Sequence, residues 1–118
     1  MEKVLYHYKA IVVEVYDGDT CTVDIDLGLH TWIKKEKIRL NRINAPEIKG
    51  KERSDGLKSR DFLRSIISGK KVYIQTIKDK KEKFGRYLAE VWFEDNKGKF
   101  ININDKLVKE GFAVYKNY

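Results

Sequence analysis

Residues 38–47 read Ile-Arg-Leu-Asn-Arg-Ile-Asn-Ala-Pro-Glu, and within this segment a strand pattern gives way to a turn. Ile38 and Leu40 fall on one face of an extended chain and Arg39 on the other, which is the pattern of a half-buried strand. The proline biases the residue before it towards extended or turn geometry, so the backbone is expected to leave the strand there. The segment thus gathers an arginine, an amide, a carbonyl and a carboxylate, groups that suit a hard cation together with a phosphate.

Period-two alternation of apolar residues continues on both sides of this segment. Five strands are predicted, over residues 9–16, 21–27, 30–43, 70–77 and 86–93. Between the third and fourth strands, an apolar stripe followed by a glycine predicts a helix over about residues 55–68, and a short second helix is expected over about 104–110. This order is that of a five-stranded Greek-key barrel of the OB type. We therefore predict a mainly β fold with added helices, in a single domain over residues 1–118.

The charge balance favours a polyanionic partner. Lysine and arginine number 25 and aspartate and glutamate 18, so the net charge is +7 in a chain of 118 residues. Such a field attracts nucleic acid first and an anionic membrane surface second, and a basic surface that only keeps the protein in solution is the alternative. The partners expected are DNA and/or RNA, with no membrane and no obligate protein partner evident.

Two further features limit the class of protein. The single cysteine, Cys21, excludes an intrachain disulfide and most zinc-site patterns, and its place in an alternating strand predicts a small core residue. The first residues lack the apolar run of a signal peptide, and no segment is apolar enough to span a bilayer. A cytoplasmic location is therefore expected.

Four short pieces carry the residues with chemical potential. The turn Asp17-Gly18-Asp19-Thr20 joins the first two strands, Arg39 lies on the third strand, residues 44–47 form its exit, and Phe84-Gly85-Arg86 opens the fifth strand. In this order and on this strand pattern, the set resembles the staphylococcal (micrococcal) nuclease family, also called the thermonuclease-like domain. The resemblance covers about residues 9–115.

The resemblance implies an OB barrel with flanking helices and calcium-dependent hydrolysis of phosphodiester bonds in DNA and RNA. Asp19 matches the family's calcium-binding aspartate, and Ala45 falls where the family supplies a backbone carbonyl to the ion. Asp17 and Thr20 are implied to surround these ligands. Asn44 departs from the family, because most members have a second calcium-binding aspartate at this position, but its amide oxygen can still coordinate calcium and it is the third predicted ligand.

The resemblance also implies how the substrate is handled. Glu47 matches the glutamate that orders the attacking water and acts as candidate general base, and Arg39 and Arg86 match the two arginines that grip the phosphate. Planar guanidinium groups suit this role because they can bond two phosphate oxygens at once. Further substrate contacts are implied for Lys83, Phe84, Tyr115 and Tyr118.

Each part also has a structural interpretation. Asp17 and Asp19 are common turn formers, and Arg86 could be a surface strand residue that pairs with Glu82 or Glu90.

Three functions consequently stay open. They are a calcium-dependent nuclease, a catalytically weak or inactive nuclease-like module that binds nucleic acid, and an interaction module for an acidic protein or membrane. Asn44 supports the second, because an amide brings no charge to a metal ion. Glu47 together with Arg39 and Arg86 supports the first, because binding alone needs no general base.

Overall fold

A computed structural model describes residues 5–117. In this part of the chain two helices, α1 (Arg53–Ile67) and α2 (Ile103–Lys109), accompany eight strands, and a 3-10 turn at Gly50–Glu52 precedes α1. The strands are β1 (His7–Asp17), β2 (Thr20–Asp26), β3 (Trp32–Leu40), β4 (Ile43–Asn44), β5 (Lys71–Lys81), β6 (Tyr87–Glu94), β7 (Phe100–Asn102) and β8 (Val114–Tyr115).

Five of the strands close into a barrel. β1 pairs antiparallel with β2 and β5, β2 pairs with β3, and β5 pairs with β6. The barrel closes where β3 and β6 run parallel, with Ile38 opposite Tyr87 and Leu40 opposite Ala89. The predicted five-stranded OB-type barrel with two helices is therefore confirmed. β7 adds an outer strand to β6 by antiparallel pairing.

The inward positions of the alternating strands form one hydrophobic core. Cys21 is buried in it, as its strand pattern predicts. Helices α1 and α2 each bury two large side chains against the same core, Leu63 and Ile67 from α1 and Ile103 and Leu107 from α2. Burying such side chains contributes about 1.5–3 kcal/mol each, so both helices are firmly docked.

The third predicted strand ends earlier than the sequence pattern indicates. β3 stops at Leu40, and Arg42 adopts a positive φ of 68°. Its guanidinium binds the Glu90 carboxylate through Nη2–Oε1 at 2.6 Å and Nε–Oε2 at 3.0 Å, which anchors this unusual backbone to β6. The chain then resumes as β4, which pairs with β8 instead of the barrel.

The fourth predicted strand is longer than expected. β5 runs to Lys81, four residues beyond the predicted end at residue 77. Lys78 and Asp79 have positive φ angles of 53° and 54° and interrupt the register with β6. Asp79 accounts for this irregularity, since its carboxylate accepts hydrogen bonds from the hydroxyl groups of Thr76 and Tyr8.

Neither helix in residues 5–117 has the length and apolar character needed to cross a lipid bilayer.

Candidate active site

A cleft of about 670 Å³ brings together residues from four parts of the chain. Glu47, Arg86, Phe84 and Thr20, all predicted from the sequence, lie on its wall. The remaining lining residues are Glu14, Tyr16, Thr22, Lys37 and Lys49. The cleft thus presents two exposed carboxylates, Glu14 and Glu47, beside the cationic groups of Lys37, Lys49 and Arg86.

Asp19 is the buried centre of the turn beside this cleft. Its Oδ2 atom accepts a hydrogen bond from the Ala45 backbone N–H at 2.7 Å and lies 3.3 Å from Arg39 Nη2, while Oδ1 accepts from the Thr20 hydroxyl at 3.2 Å. Gly18 permits this close packing, because a Cβ atom there would lie 2.7 Å from the Cβ atom of Ala45. The turn between β1 and β2 is therefore locked to the exit of β3.

Arg39 points into the protein and is not among the residues that line the cleft. The residue is only 6% exposed. Nη1 donates to the carbonyl oxygens of Leu40 at 2.8 Å and Ile43 at 3.0 Å, and Nη2 donates to Asn44 Oδ1 at 3.3 Å. Since Nη2 also contacts Asp19, the guanidinium lies between two of the three residues predicted to bind calcium.

Asp17 adds a second carboxylate to this turn. Its Oδ1 atom accepts the Asp19 backbone N–H at 3.0 Å. Burial raises the pKa of Asp17 to about 6, and repulsion from the Asp19 carboxylate adds to the effect. A cation close to the two carboxylates would relieve this repulsion.

Glu47 combines an exposed side chain with a fixed backbone. Its N–H donates to Glu52 Oε2 at 2.9 Å. On the other side, Gly56 of α1 approaches so closely that a Cβ atom there would lie 2.0 Å from the Glu47 carbonyl oxygen. The contact of Gly56 with Glu47 was not predicted from the sequence, although a glycine inside a helical pattern often has a packing reason.

Arg86 is held by a carboxylate four residues before it. Its Nε atom donates to Glu82 Oε1 and its Nη2 atom to Glu82 Oε2, both at 3.1 Å, and the Arg86 backbone N–H donates to Oε1 at 2.9 Å. These hydrogen bonds lower the pKa of Glu82. Arg86 Nη1 lies 3.4 Å from Thr20 Oγ1, another residue of the cleft wall. Arg86 therefore both lines the cleft and forms the ion pair considered as its structural alternative.

The residues predicted to contact substrate fall in different places. Phe84 is 70% exposed on the cleft wall, and its ring centroid lies 5.1 Å from Lys83 Nζ and 5.5 Å from Arg86 Cζ. Tyr115 lines a different groove, described below. Tyr118 lies outside the described residues.

The oxygen atoms near Asn44 are of the types that bind a hard cation, but they carry little negative charge. Carboxylate, amide and carbonyl oxygens are the usual calcium ligands. Within residues 5–117, however, no group of three or more histidine, cysteine, aspartate or glutamate side chains is arranged to hold a metal ion. The donor set thus fits calcium chemically, with Asp19 as the one fully charged ligand among Asp19, Asn44 and Ala45.

A comparison with known protein families identifies the family of the chain. Residues 37–118 match the family described as staphylococcal nuclease homologue. The chain belongs to that family. The predicted resemblance is therefore confirmed, and the matched segment contains Arg39, Glu47 and Arg86, whereas Asp19 lies before it.

Individual relatives of this staphylococcal nuclease homologue cover most of the chain. It is 36% identical over 110 residues to a thermonuclease of Staphylococcus hyicus, an alignment that covers 91% of the chain and 59% of the relative. It is 32% identical over 111 residues to a thermonuclease of Staphylococcus intermedius, with 92% and 60% covered. An uncharacterized protein of Methanocaldococcus jannaschii is 34% identical over 128 residues, with 91% and 58% covered. The chain spans about three fifths of the length of each of these relatives.

Proposed function

We propose that this domain is a calcium-dependent nuclease that hydrolyses phosphodiester bonds of DNA and/or RNA. The observation that carries the proposal is the shared cleft of Glu47 and Arg86, a carboxylate and a guanidinium on the wall of one basic cavity. The two thermonuclease relatives and the net positive charge support it.

Arg86 is the phosphate ligand that the cleft presents. In phosphoryl transfer, charge is spread over the equatorial oxygens of the phosphate while the attacking and leaving oxygens lie in line. Glu82 holds the Nε and Nη2 atoms of Arg86, and Nη1 lies beside Thr20 of the cleft wall. We assign Arg86 to neutralising the phosphate charge, with Lys49 and Lys37 adding to the positive field of the cleft.

Glu47 is the candidate general base. Its side chain is exposed in the cleft, so a water molecule can reach its carboxylate. Its backbone is fixed by Glu52 and by the close approach of Gly56, which reduces the freedom of the carboxylate relative to the phosphate site. A carboxylate held within hydrogen-bond reach of the attacking water can accept its proton.

In this proposal Arg39 holds the turn at the exit of β3 in position. It also keeps the contact with phosphate that the resemblance implies. It fastens the turn by donating to the carbonyls of Leu40 and Ile43. Its contacts through Nη2 to Asn44 and Asp19 are longer, both 3.3 Å. Phosphate binding by Arg39 would exchange the Asn44 contact for a phosphate oxygen.

Asp19, the Asn44 amide oxygen and the Ala45 carbonyl would hold calcium, with Asp17 and Thr20 next to Asp19. When bound, calcium neutralises phosphate charge and orients the attacking water. Because Asn44 brings no charge, the free protein is expected to bind calcium weakly, with a dissociation constant of about 1 mM or higher. Nucleotide should strengthen the binding by adding phosphate charge.

The direct test is to mix the purified protein with plasmid DNA and with RNA, in calcium or in a chelator. The proposal expects cleavage with calcium only, reduced about a hundredfold or more in Glu47→Gln. Equal cleavage by Glu47→Gln would remove Glu47 as the base, and no cleavage by the wild type in calcium would overturn the nuclease proposal.

A second candidate is a nucleic-acid-binding module with little or no catalysis. Two observations favour it, the uncharged Asn44 at a metal position and the engagement of the Arg39 guanidinium by protein atoms. Salt-sensitive binding of single-stranded DNA without cleavage in calcium would support this candidate.

A further inference from the structure

A second groove, of about 450 Å³, lies on α2 and β7 and shares no lining residue with the cleft of Glu47 and Arg86. We call it the α2 groove. Its lining residues are Lys99, Phe100, Ile101, Asn102, Asp105, Lys106, Lys109 and Tyr115.

The charge of the α2 groove is positive. Lys99, Lys106 and Lys109 supply three ammonium groups. The one carboxylate on its wall, Asp105, lies 3.0 Å from the guanidinium of Arg42, which also binds Glu90, so the three lysines still outnumber it. Lys106 also lies 3.8 Å from Glu110, a partly exposed pair of the kind that contributes little.

Two aromatic rings in the α2 groove are exposed and yet held in place. Phe100 is 54% exposed and packs edge-on against Tyr73, with ring centroids 5.2 Å apart. Tyr115 is 57% exposed, donates its hydroxyl to Asp105 at 2.9 Å, and has the Arg42 guanidinium 5.8 Å from its ring centroid. Fixed rings among lysines are the combination that binds single-stranded nucleic acid, because bases stack on the rings while the cations follow the backbone.

The path from the cleft to the α2 groove follows one strand. Arg86 directly precedes β6, and Trp92 near the other end of β6 pairs with Asn102 of the groove wall. At about 3.3 Å per residue, this distance is roughly 20 Å. Barrels of this kind bind about 4–16 nucleotides, so one single strand can reach both places.

We propose that the α2 groove binds the part of a single-stranded nucleic acid that lies beyond the bond held in the cleft. Lys99, Lys106 and Lys109 contact the phosphates, and Phe100 stacks on a base next to Tyr115, whose substrate contact the family resemblance already implies. The statement that the groove lies beyond a scissile bond rests on the proposed nuclease function. The statement that the groove binds nucleic acid does not depend on that function.

The test compares a long and a short ligand in the presence of a chelator, so that cleavage plays no part. The long ligand is an oligothymidylate of about a dozen nucleotides, and the short one is a nucleoside bisphosphate that fills only the cleft. We expect the triple variant Lys99→Gln, Lys106→Gln, Lys109→Gln to lose affinity for the long ligand by about tenfold or more. Its affinity for the short ligand should not change. Its slope of log affinity against log salt should fall by about 2, since each phosphate contact contributes about 0.7 for single strands.

A matched triple variant separates the groove from net charge. Lys9→Gln, Lys58→Gln, Lys70→Gln removes the same charge at exposed lysines outside both cavities and should weaken binding much less. Equal losses in the two triple variants would overturn the proposal. Phe100→Ala should also weaken the long ligand about tenfold, and Phe100→Tyr should restore it. If poly-glutamate competes for the α2 groove as well as the oligonucleotide does, the proposal is wrong. The groove would then fit an acidic protein.

Discussion

The Arg39 guanidinium lies 3.3 Å from the Asp19 carboxylate, and both side chains are about 8% exposed. The negative charge at the centre of the proposed metal site is thus already compensated by the protein. The β1–β2 turn and the exit of β3 can therefore assemble before any cation binds. Removal of one partner of a buried pair leaves an uncompensated charge, which is far more costly than loss of a surface pair.

We expect Arg39→Ala to reduce the free energy of unfolding by about 3–5 kcal/mol. The variant strands the Asp19 carboxylate and removes the donors to Leu40 and Ile43. Urea unfolding measures the effect. Arg60→Ala is the control, because Arg60 pairs with Asp61 at the surface and should contribute less than about 1 kcal/mol. Equal losses in the two variants would show that Arg39 does not stabilise the turn.

Asn44→Asp should make calcium bind about tenfold more tightly in the free protein. A second full charge beside Asp19 increases the attraction for a divalent cation, although Arg39 offsets part of it. Calorimetric titration with calcium, with and without a nucleoside bisphosphate, measures both affinities. Asn96→Asp adds the same charge in an exposed turn and is the control. If Asn44→Asp and the wild type bind calcium equally, Asn44 does not face the metal.

Glu82→Gln should tighten the binding of a nucleoside bisphosphate about three- to tenfold. Glu82 places a carboxylate on Arg86, the residue that we assign to phosphate, and so competes with the substrate for the guanidinium. Equilibrium binding in the presence of a chelator measures the change. Glu94→Gln removes one charge from an exposed end of β6 and serves as the control. Weaker binding by Glu82→Gln would mean that Glu82 mainly holds Arg86 in position.

Gly56→Ala should destabilise the protein although glycine to alanine in a helix interior usually stabilises it by up to about 1 kcal/mol. The added Cβ atom would lie 2.0 Å from the Glu47 carbonyl oxygen, so α1 and the Glu47 backbone must move apart. Thermal unfolding tests the sign of the change. If the protein is a nuclease, turnover should also fall about ten- to a hundredfold, because Glu47 is displaced. Lys58→Ala, at an exposed position of α1, should do neither.

Cys21 should resist alkylation in the folded protein and react rapidly in denaturant. Burial raises the pKa of its thiol to about 12, and the thiolate is the reactive form. Since the unfolded thiol titrates near 8.5, the contrast should be clear at about pH 8. Mass spectrometry after iodoacetamide treatment measures it. Fast labelling without denaturant would show that the β2 wall of the barrel opens readily.

The sequence by itself determined the barrel and the parts of the site that lie close together along the chain. Alternation of apolar residues reports which face of a strand is buried, and this local property predicted the five barrel strands with errors only at their ends. The errors at Leu40 and Lys81 have a nonlocal cause, since the positive φ angles at Arg42 and at Lys78–Asp79 accompany contacts with the distant residues Glu90 and Tyr8.

Only the tertiary structure decided how the charged groups of the site are partnered. A motif places Arg39 and Arg86 near a phosphate site, but it does not show that Arg39 turns inward to Asp19 or that Glu82 covers one side of Arg86. The pairing of β8 with β4 likewise places Tyr115 beside α2 instead of in the cleft. The physical reason is that side-chain pairing depends on distances between strands and helices that are far apart in the chain, which alternation and spacing along the chain do not encode.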